Sequence, residues 1–146
     1  MRLMDPEVPV AAERLGLVGL LPFVAGALLV VAGGAWRDWA ETALLGYGAV
    51  ILSFMGGVHW GMAIAAPACS PVRLAWSVVW ALIGWAGLLA GGDLGLLLLA
   101  AGFVGLFAYD RQATGRHEAP GWYPALRRPL TAVVVACLVV AMLAGP

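Results

Sequence analysis

The residue best placed to do chemistry inside a membrane is a histidine, His59. It lies within residues 46–62, GYGAVILSFMGGVHWGM, and no Asp, Glu, Lys or Arg occurs from residue 42 to residue 72. An ionisable side chain in such an apolar segment is rare and costly, so it marks a candidate functional site. An imidazole there can contact a ligand or a partner, relay a proton, or form a structural hydrogen bond between helices. The structural use is the commonest of these, and the sequence leaves the others open.

Signatures of enzymes and metal sites are missing from the sequence. No His, Cys, Asp or Glu cluster has the spacing of metal ligands, so we predict no metal site. The second histidine, His117, falls in a polar loop, which argues against a haem held by two histidines. No nucleophile elbow, phosphate-binding loop or dinucleotide fingerprint occurs. We therefore predict no catalytic residue and no resident cofactor, although a quinone or tetrapyrrole ligand stays open.

Composition places the chain among multispan membrane proteins. Its 146 residues are 63% hydrophobic and only 11% charged, which is too apolar for a soluble domain of this size. The formal net charge is zero, and no basic stripe suggests a nucleic-acid partner. The lipid bilayer is the predicted environment. The two cysteines, Cys69 and Cys137, do not form a recognisable disulfide framework.

Five apolar segments predict one domain over residues 1–146, an all-α, up-and-down bundle of five transmembrane helices. Backbone polar groups in lipid must be paired within the segment, so each segment is expected to be a helix. Pro129 is expected in the first turn of the last helix. The alternative is four spans plus one re-entrant segment in place of the fourth or fifth. The predicted helices are 15–35, 42–66, 73–91, 94–110 and 129–145.

Arginine placement predicts the orientation of the bundle. With a cytoplasmic N-terminus, only Arg37 lies outside, and the C-terminus faces the periplasm. We expect a multi-pass protein of the bacterial inner membrane, with its first apolar run retained rather than cleaved as a signal peptide. The arginines expected inside are Arg2, Arg14, Arg73, Arg111, Arg116, Arg127 and Arg128. Asp110, which precedes Arg111 at the end of the fourth segment, is interpreted as an interface stop signal.

The second apolar segment has two faces of different character. Small residues recur at every fourth position, a pattern that allows two membrane helices to approach closely. We predict that this stripe is a packing seam of the bundle. His59 lies two residues from two of its glycines, so at about 100° per residue it points away from the stripe. The predicted seam is Ala49, Ser53, Gly57, Gly61 and Ala65.

The face that holds His59 is expected to meet an internal pocket, a ligand or a partner in the cytoplasmic half of the bilayer. Trp76 and Trp80 lie one helical turn apart, either as packing and anchoring residues or as a stacking wall for a flat ligand. The residues predicted to contact a ligand or partner are His59, Trp60, Trp80, Gly56, Met55 and Pro22.

Three stretches of the sequence resemble a known family. They are LGLVGLLPFVAGALL, YGAVILSFMGGVHWGMAI and RLAWSVVWALIGW, and the most specific element is GGVHWG at residues 56–61. Together they resemble the domain-of-unknown-function 3429 family, small bacterial inner-membrane proteins with mitochondrial transmembrane relatives. The resemblance implies a helical membrane protein with about five spans. No activity is established for that family, so it transfers no catalytic residue.

Two functional hypotheses follow. The first is an accessory, structural or assembly component that docks to other membrane-protein subunits of a larger bioenergetic complex. Its support is the missing catalytic machinery, the small-residue stripe and the mitochondrial relatives. The alternative is a ligand-binding bundle for a quinone, tetrapyrrole or lipid near His59. A proton or solute pathway that uses His59 is a weaker third possibility.

Overall fold

A computed structural model describes residues 7–145, so Arg2 lies outside the described residues. Within this range the chain forms helices and one 3-10 turn, Gly34–Trp36, with no strand. The helices are α1 (Val10–Gly19), α2 (Leu21–Ala32), α3 (Arg37–Ala65), α4 (Pro71–Ala90), α5 (Gly92–Gly115) and α6 (Tyr123–Leu143).

The six helices make five membrane spans, because α1 and α2 together form the first span over Val10–Ala32. The break between them falls at Leu20, two residues before Pro22. Pro22 has no backbone N–H to donate to the preceding turn, which weakens the helix at this point. The all-α fold with five spans that the sequence predicts is confirmed.

Helix α5 ends later, and helix α6 begins earlier, than the sequence predicts. Helix α5 continues past Asp110 to Gly115, and α6 begins at Tyr123 instead of residue 129. Pro124 takes the first-turn position that suits proline, and Pro129 lies inside α6, contrary to the prediction. As a result, Asp110 and Arg127 both lie on regular helix rather than at a helix end or in a loop.

Each span packs against the next along the chain, and α6 returns to α2 to close the bundle, while α3 also contacts α5. A tight turn at Gly91 and Gly92, both with positive φ, joins α4 to α5. The main core comprises large apolar side chains from five helices: Phe23, Leu44, Leu52, Trp80, Leu99, Phe103, Leu106 and Leu138.

One end of the bundle collects most of the positive charge. Helices α3 and α5 end there, and α4 and α6 begin there. We call it the arginine-rich end, and it is defined by Arg73, Arg111, Arg116, Arg127 and Arg128. Its position at the cytoplasmic face stays a prediction.

Glycines let α3 and α4 approach backbone to backbone. A Cβ atom added at Gly56 would lie 2.6 Å from the carbonyl oxygen of Ser77, and one added at Gly84 would lie 3.0 Å from that of Ala49. These distances leave no room for a side chain. The close approach brings the His59 face of α3 into the interior of the bundle.

The predicted small-residue seam is shorter in the structure than in the sequence. Ala49 packs against Gly84, but Gly57, Gly61 and Ala65 are exposed on the outside of α3. The opposite side of the helix is buried instead, because Leu44, Leu45 and Leu52 fill the core from that side. The buried stripe is Leu45, Leu52, Gly56, His59 and Ala63.

Two adjacent glycines provide a direct test of this packing. We expect Gly56→Ala to destabilise the protein by about 1–3 kcal/mol, because the new methyl group meets the α4 backbone. The new methyl group of Gly57→Ala meets nothing within 4 Å. This variant should keep or slightly raise the stability, because alanine favours a helix over glycine by about 1 kcal/mol. Thermal unfolding in detergent micelles measures both variants. Equal melting temperatures for the two variants would contradict the observed packing of α3 on α4.

Candidate functional site

Three buried ionisable side chains from three helices meet near the arginine-rich end. His59 Nε2 lies 2.6 Å from Oδ1 of Asp110, and Arg127 Nε lies 2.9 Å from Oδ2 of the same carboxylate. None of the three residues is more than 5% exposed, and Asp110 is fully buried. We call this group the His–Asp–Arg network. It links α3, α5 and α6 through one carboxylate.

Helical periodicity explains why these side chains point inward. Asp110 follows the fully buried Phe103 and Leu106 by seven and four residues, and Ala113 continues the same buried face of α5. Arg127 similarly precedes the buried Leu130 on α6. The apolar residues fix which side of each helix faces the core, and the charged residues lie on that side.

The charges of the network compensate each other. An arginine is always protonated in a protein, so an ionised Asp110 forms a buried ion pair with Arg127. The remaining carboxylate oxygen accepts a hydrogen bond when His59 carries its hydrogen on Nε2.

Several buried polar atoms around the network have no hydrogen-bond partner among the described residues. They are Nη2 of Arg127, Oγ1 of Thr131 and Nε1 of Trp80. Unpaired buried polar groups are few in native proteins, and each needs an explanation. Arg127 and Thr131 lie one turn apart on α6, so two of these groups are close in sequence and on one helix face. An unused guanidinium donor and an unpaired hydroxyl therefore lie on one side of α6.

Aromatic rings enclose the imidazole. The ring of Tyr109 lies 4.7 Å from His59, edge to face, and that of Tyr123 lies 6.3 Å away. Tyr109 in turn contacts Trp80 at 5.9 Å. The Tyr123 hydroxyl lies 3.9 Å from the sulfur of Met55. His59 is therefore shielded within the bundle rather than open to solvent.

A groove of about 220 Å³ runs beside the network between the first span, α3 and α6. Arg127 is the one charged residue among those that line it within the described chain. Gly16 and Gly19 on α1 have no side chains, so α1 adds little bulk to the groove. The rest of the lining is apolar or aromatic and includes Phe23, Met55, Val58, Tyr123 and Leu126.

The structure brings four of the predicted contact residues into or next to this region. His59 belongs to the network, Met55 lines the groove, and Gly56 contacts Trp80 at the interface of α3 and α4. Trp80 packs with Trp76, ring centroids 6.3 Å apart, so the two tryptophans form one aromatic cluster.

The other two predicted contact residues lie elsewhere. Pro22 is exposed in the first turn of α2, and Trp60 is 43% exposed on α3. Trp60 follows His59 directly, and one residue turns the helix by about 100°, away from the pocket. Both side chains point outward and do not line a pocket with His59, so their contact with a partner stays a prediction.

Asp110 and Arg127 are the functional candidates that the sequence interpretation missed. Asp110 is not an interface stop signal, because its side chain is buried and binds two partners. The sequence did contain a signal, because Asp110 continues the helix face that the apolar residues Phe103 and Leu106 mark as buried. The predicted fourth span ended at residue 110, which placed Asp110 at a helix end instead of on a buried helix face.

Removing the shared carboxylate tests the network. We expect Asp110→Leu to cost about 3–5 kcal/mol of stability, because it leaves Arg127 buried without a counter-charge. The double variant Asp110→Leu/Arg127→Met should recover most of that loss. Asp93→Asn, an exposed carboxylate on the same helix, should change stability by less than about 1 kcal/mol. Thermal unfolding in detergent measures all three, and a double variant no more stable than the single one would refute the ion pair.

Comparisons with known proteins find membrane-protein relatives. The chain is 39% identical to Transmembrane protein 69 of Xenopus tropicalis over 140 residues, which is 91% of this chain and 54% of that protein. It is 30% identical to Transmembrane protein 69 of Mus musculus over 143 residues, or 94% of this chain and 57% of that protein. The chain therefore spans little more than half the length of these relatives. No solved structure gives a significant match.

Together with the five spans, these relatives identify a multi-pass membrane protein. The matching family model describes a protein of unknown function and extends over residues 8–143, which includes all six helices and the His–Asp–Arg network. The chain belongs to the DUF3429 family.

Proposed function

We propose that this protein is a non-catalytic binder of a lipid-soluble ligand, which it holds in the groove beside the His–Asp–Arg network. One observation supports this most strongly. Arg127 lines an otherwise apolar groove, and its Nη2 has no hydrogen-bond partner among the described residues. A buried guanidinium with an unused donor is costly unless something accepts its hydrogen bond.

The chemistry of the groove favours a ligand that carries an acceptor oxygen. A guanidinium can only donate, so its partner is a carbonyl, carboxylate or phosphate oxygen. The surrounding apolar side chains favour a neutral, hydrophobic molecule that enters from the bilayer. A quinone carbonyl or the ester carbonyl of a lipid meets both requirements.

The size of the groove favours a small ring or a single chain. Its volume of about 220 Å³ lies below the roughly 300–1,000 Å³ that is usual for sites of drug-sized ligands. A quinone ring or an acyl chain suits this space better than a tetrapyrrole macrocycle does. We therefore favour the quinone and lipid alternatives over the tetrapyrrole.

The network gives Arg127 a fixed position for this role. Asp110 binds Nε of the guanidinium, and His59 binds the second carboxylate oxygen. Groups that hold a binding residue in place reduce the ordering cost of binding. In this proposal, Asp110 and His59 are positioning residues, and Arg127 contacts the ligand.

We further propose that the protein lies in a bacterial inner membrane with its arginine-rich end at the cytoplasmic face. The support is the excess of arginine at that end, which follows the positive-inside rule. The groove would then open to the cytoplasmic half of the bilayer.

A steric series at Gly19 tests ligand binding. Gly19 lines the groove, and a Cβ added there approaches only the Tyr47 hydroxyl, at 3.9 Å. We expect Gly19→Ala to keep binding and Gly19→Leu to weaken it roughly tenfold or more, because the larger side chain enters the groove. Gly57→Leu on the outer surface is the matched control.

The measurement combines two steps. Solvent extraction of protein purified from membranes, followed by mass spectrometry, identifies any co-purified molecule. Titration with a benzoquinone that carries a short alkyl tail then compares the variants in detergent. A protein that yields only bulk phospholipid and binds no quinone, or a Gly19→Leu variant that binds like Gly57→Leu, would refute the proposal.

An accessory or assembly role in a larger bioenergetic complex is a second candidate. The observation that favours it is the exposed strip of Gly57, Gly61 and Ala65 on α3. Such a strip allows another membrane helix to approach the backbone closely. The strip faces away from His59, so this role does not require the groove.

Replacing the exposed glycines tests the accessory role. The double variant Gly57→Leu/Gly61→Leu should lose any stable partner by steric obstruction, while its own fold stays intact because neither position packs within the bundle. Purification in mild detergent with mass spectrometry identifies the partner and the size of the complex. A wild-type protein that runs alone would contradict this role.

A further inference from the structure

A second cleft, separate from the groove, lies between α4 and α5 at the arginine-rich end. Its volume is about 510 Å³, which is within the range of typical ligand sites. We call it the α4–α5 cleft. The cleft exists partly because Gly105 and Ala108 give its α5 wall little side-chain bulk. Neither His59 nor Arg127 lines it.

The polarity of the cleft changes from its mouth to its base. On α4, Arg73 is followed by Trp76 and Trp80 at helical spacing, and all three line the cleft. Arg116, which directly follows α5, lies near the mouth, and Gly105 on α5 lies near the base. The cleft is therefore charged at the end of the bundle and aromatic deeper inside.

Its mouth has an excess of positive charge. Arg73 and Arg116 place their Nε atoms 3.6 Å and 3.5 Å from the same oxygen of Glu118. One carboxylate thus faces two guanidinium groups, at distances longer than a good hydrogen bond. That glutamate oxygen has no hydrogen-bond partner among the described residues. Two positive charges face one negative charge, so the three side chains leave a net positive charge at the mouth that a further anion can neutralise.

The start of α4 adds to this potential. Ser70 and Val72 line the cleft, and the helix begins between them at Pro71. The Ser70 side chain does not cap the helix, and the first turn contains no acidic residue. The partial positive charge of the helix N-terminus is therefore uncompensated and reinforces the two arginines.

We propose that the α4–α5 cleft binds an anionic phospholipid. The phosphate lies between Arg73 and Arg116, and one acyl chain extends over Trp76 toward Trp80. Two features favour a lipid over a soluble anion. The base is aromatic and apolar, which a chain fills better than water. The mouth lies at the start of α4, at the arginine-rich end, where the headgroups of a bilayer would meet the two arginines. Trp80 lies at the base and is only 5% exposed.

Glu118 acts as a competitor for the arginines in this arrangement. When no lipid is bound, its carboxylate partly neutralises the mouth. Its charge opposes the phosphate when a lipid is bound. Glu118→Gln should therefore increase the retention of anionic lipid, whereas a glutamate that merely holds the arginines in place would reduce retention when replaced.

Native mass spectrometry of the full chain in detergent tests the proposal. Phosphatidylglycerol and phosphatidylcholine are the two lipid probes. The test variant is Arg73→Gln/Arg116→Gln, and the matched control is Arg111→Gln/Arg128→Gln, two exposed arginines at the same end that do not line the cleft. We expect the test variant to retain phosphatidylglycerol roughly tenfold more weakly and the control to lose much less.

Three outcomes would overturn the proposal. Equal losses in the two double variants would show that the total charge of this end attracts the lipid, without a defined site. Equal retention of phosphatidylcholine would remove the requirement for an anion. Displacement of the lipid by an equal concentration of inorganic phosphate would show that the mouth binds a free phosphate and the base contributes nothing.

Discussion

One carboxylate connects the helices around the site. Asp110 is fully buried near the arginine-rich end, and its two carboxylate oxygens contact His59 and Arg127, which joins α5 to α3 and α6. An isolated charge at this depth would cost several kcal/mol, so the carboxylate is tolerable only with both partners in place. This requirement restricts the rotation and depth of three helices at once, which apolar packing alone would leave less well defined. The groove and the position of Arg127 both depend on it.

Glycine packing and the charge network work together. Gly56 brings α3 against α4, and His59 follows it by one helical turn on the same face. The close contact of these two helices directs the imidazole toward α5, where Tyr109 packs edge-on against it. A bulkier residue at position 56 would move the helix and the histidine together. This coupling gives a physical reason for a glycine and a histidine to occur together within GGVHWG.

The five spans and their helical structure followed from the sequence because apolar length and backbone pairing leave few alternatives in lipid. His59 also stood out, since no Asp, Glu, Lys or Arg occurs from residue 42 to residue 72. The partners of His59 were harder to find, because Asp110 and Arg127 are each followed by an exposed arginine, Arg111 and Arg128. Charge alone does not show which side of a helix faces inward. The exposed half of the small-residue stripe shows the same limit. Residue size predicts that a close approach is feasible, but only the positions of the other helices determine which side they cover.

The spacing of Asp110 and Arg127 also affects how the protein enters the bilayer. Each charge alone would oppose insertion of its helix, by about 2.5–3.5 kcal/mol if it were at the centre of the membrane. The two residues lie on consecutive spans and are only 17 positions apart, so α5 and α6 can insert as one hairpin with the charges already paired. By then α3 has been synthesised, and His59 can complete the contact. The order of the helices along the chain thus reduces the penalty of placing charged residues in the membrane during biosynthesis.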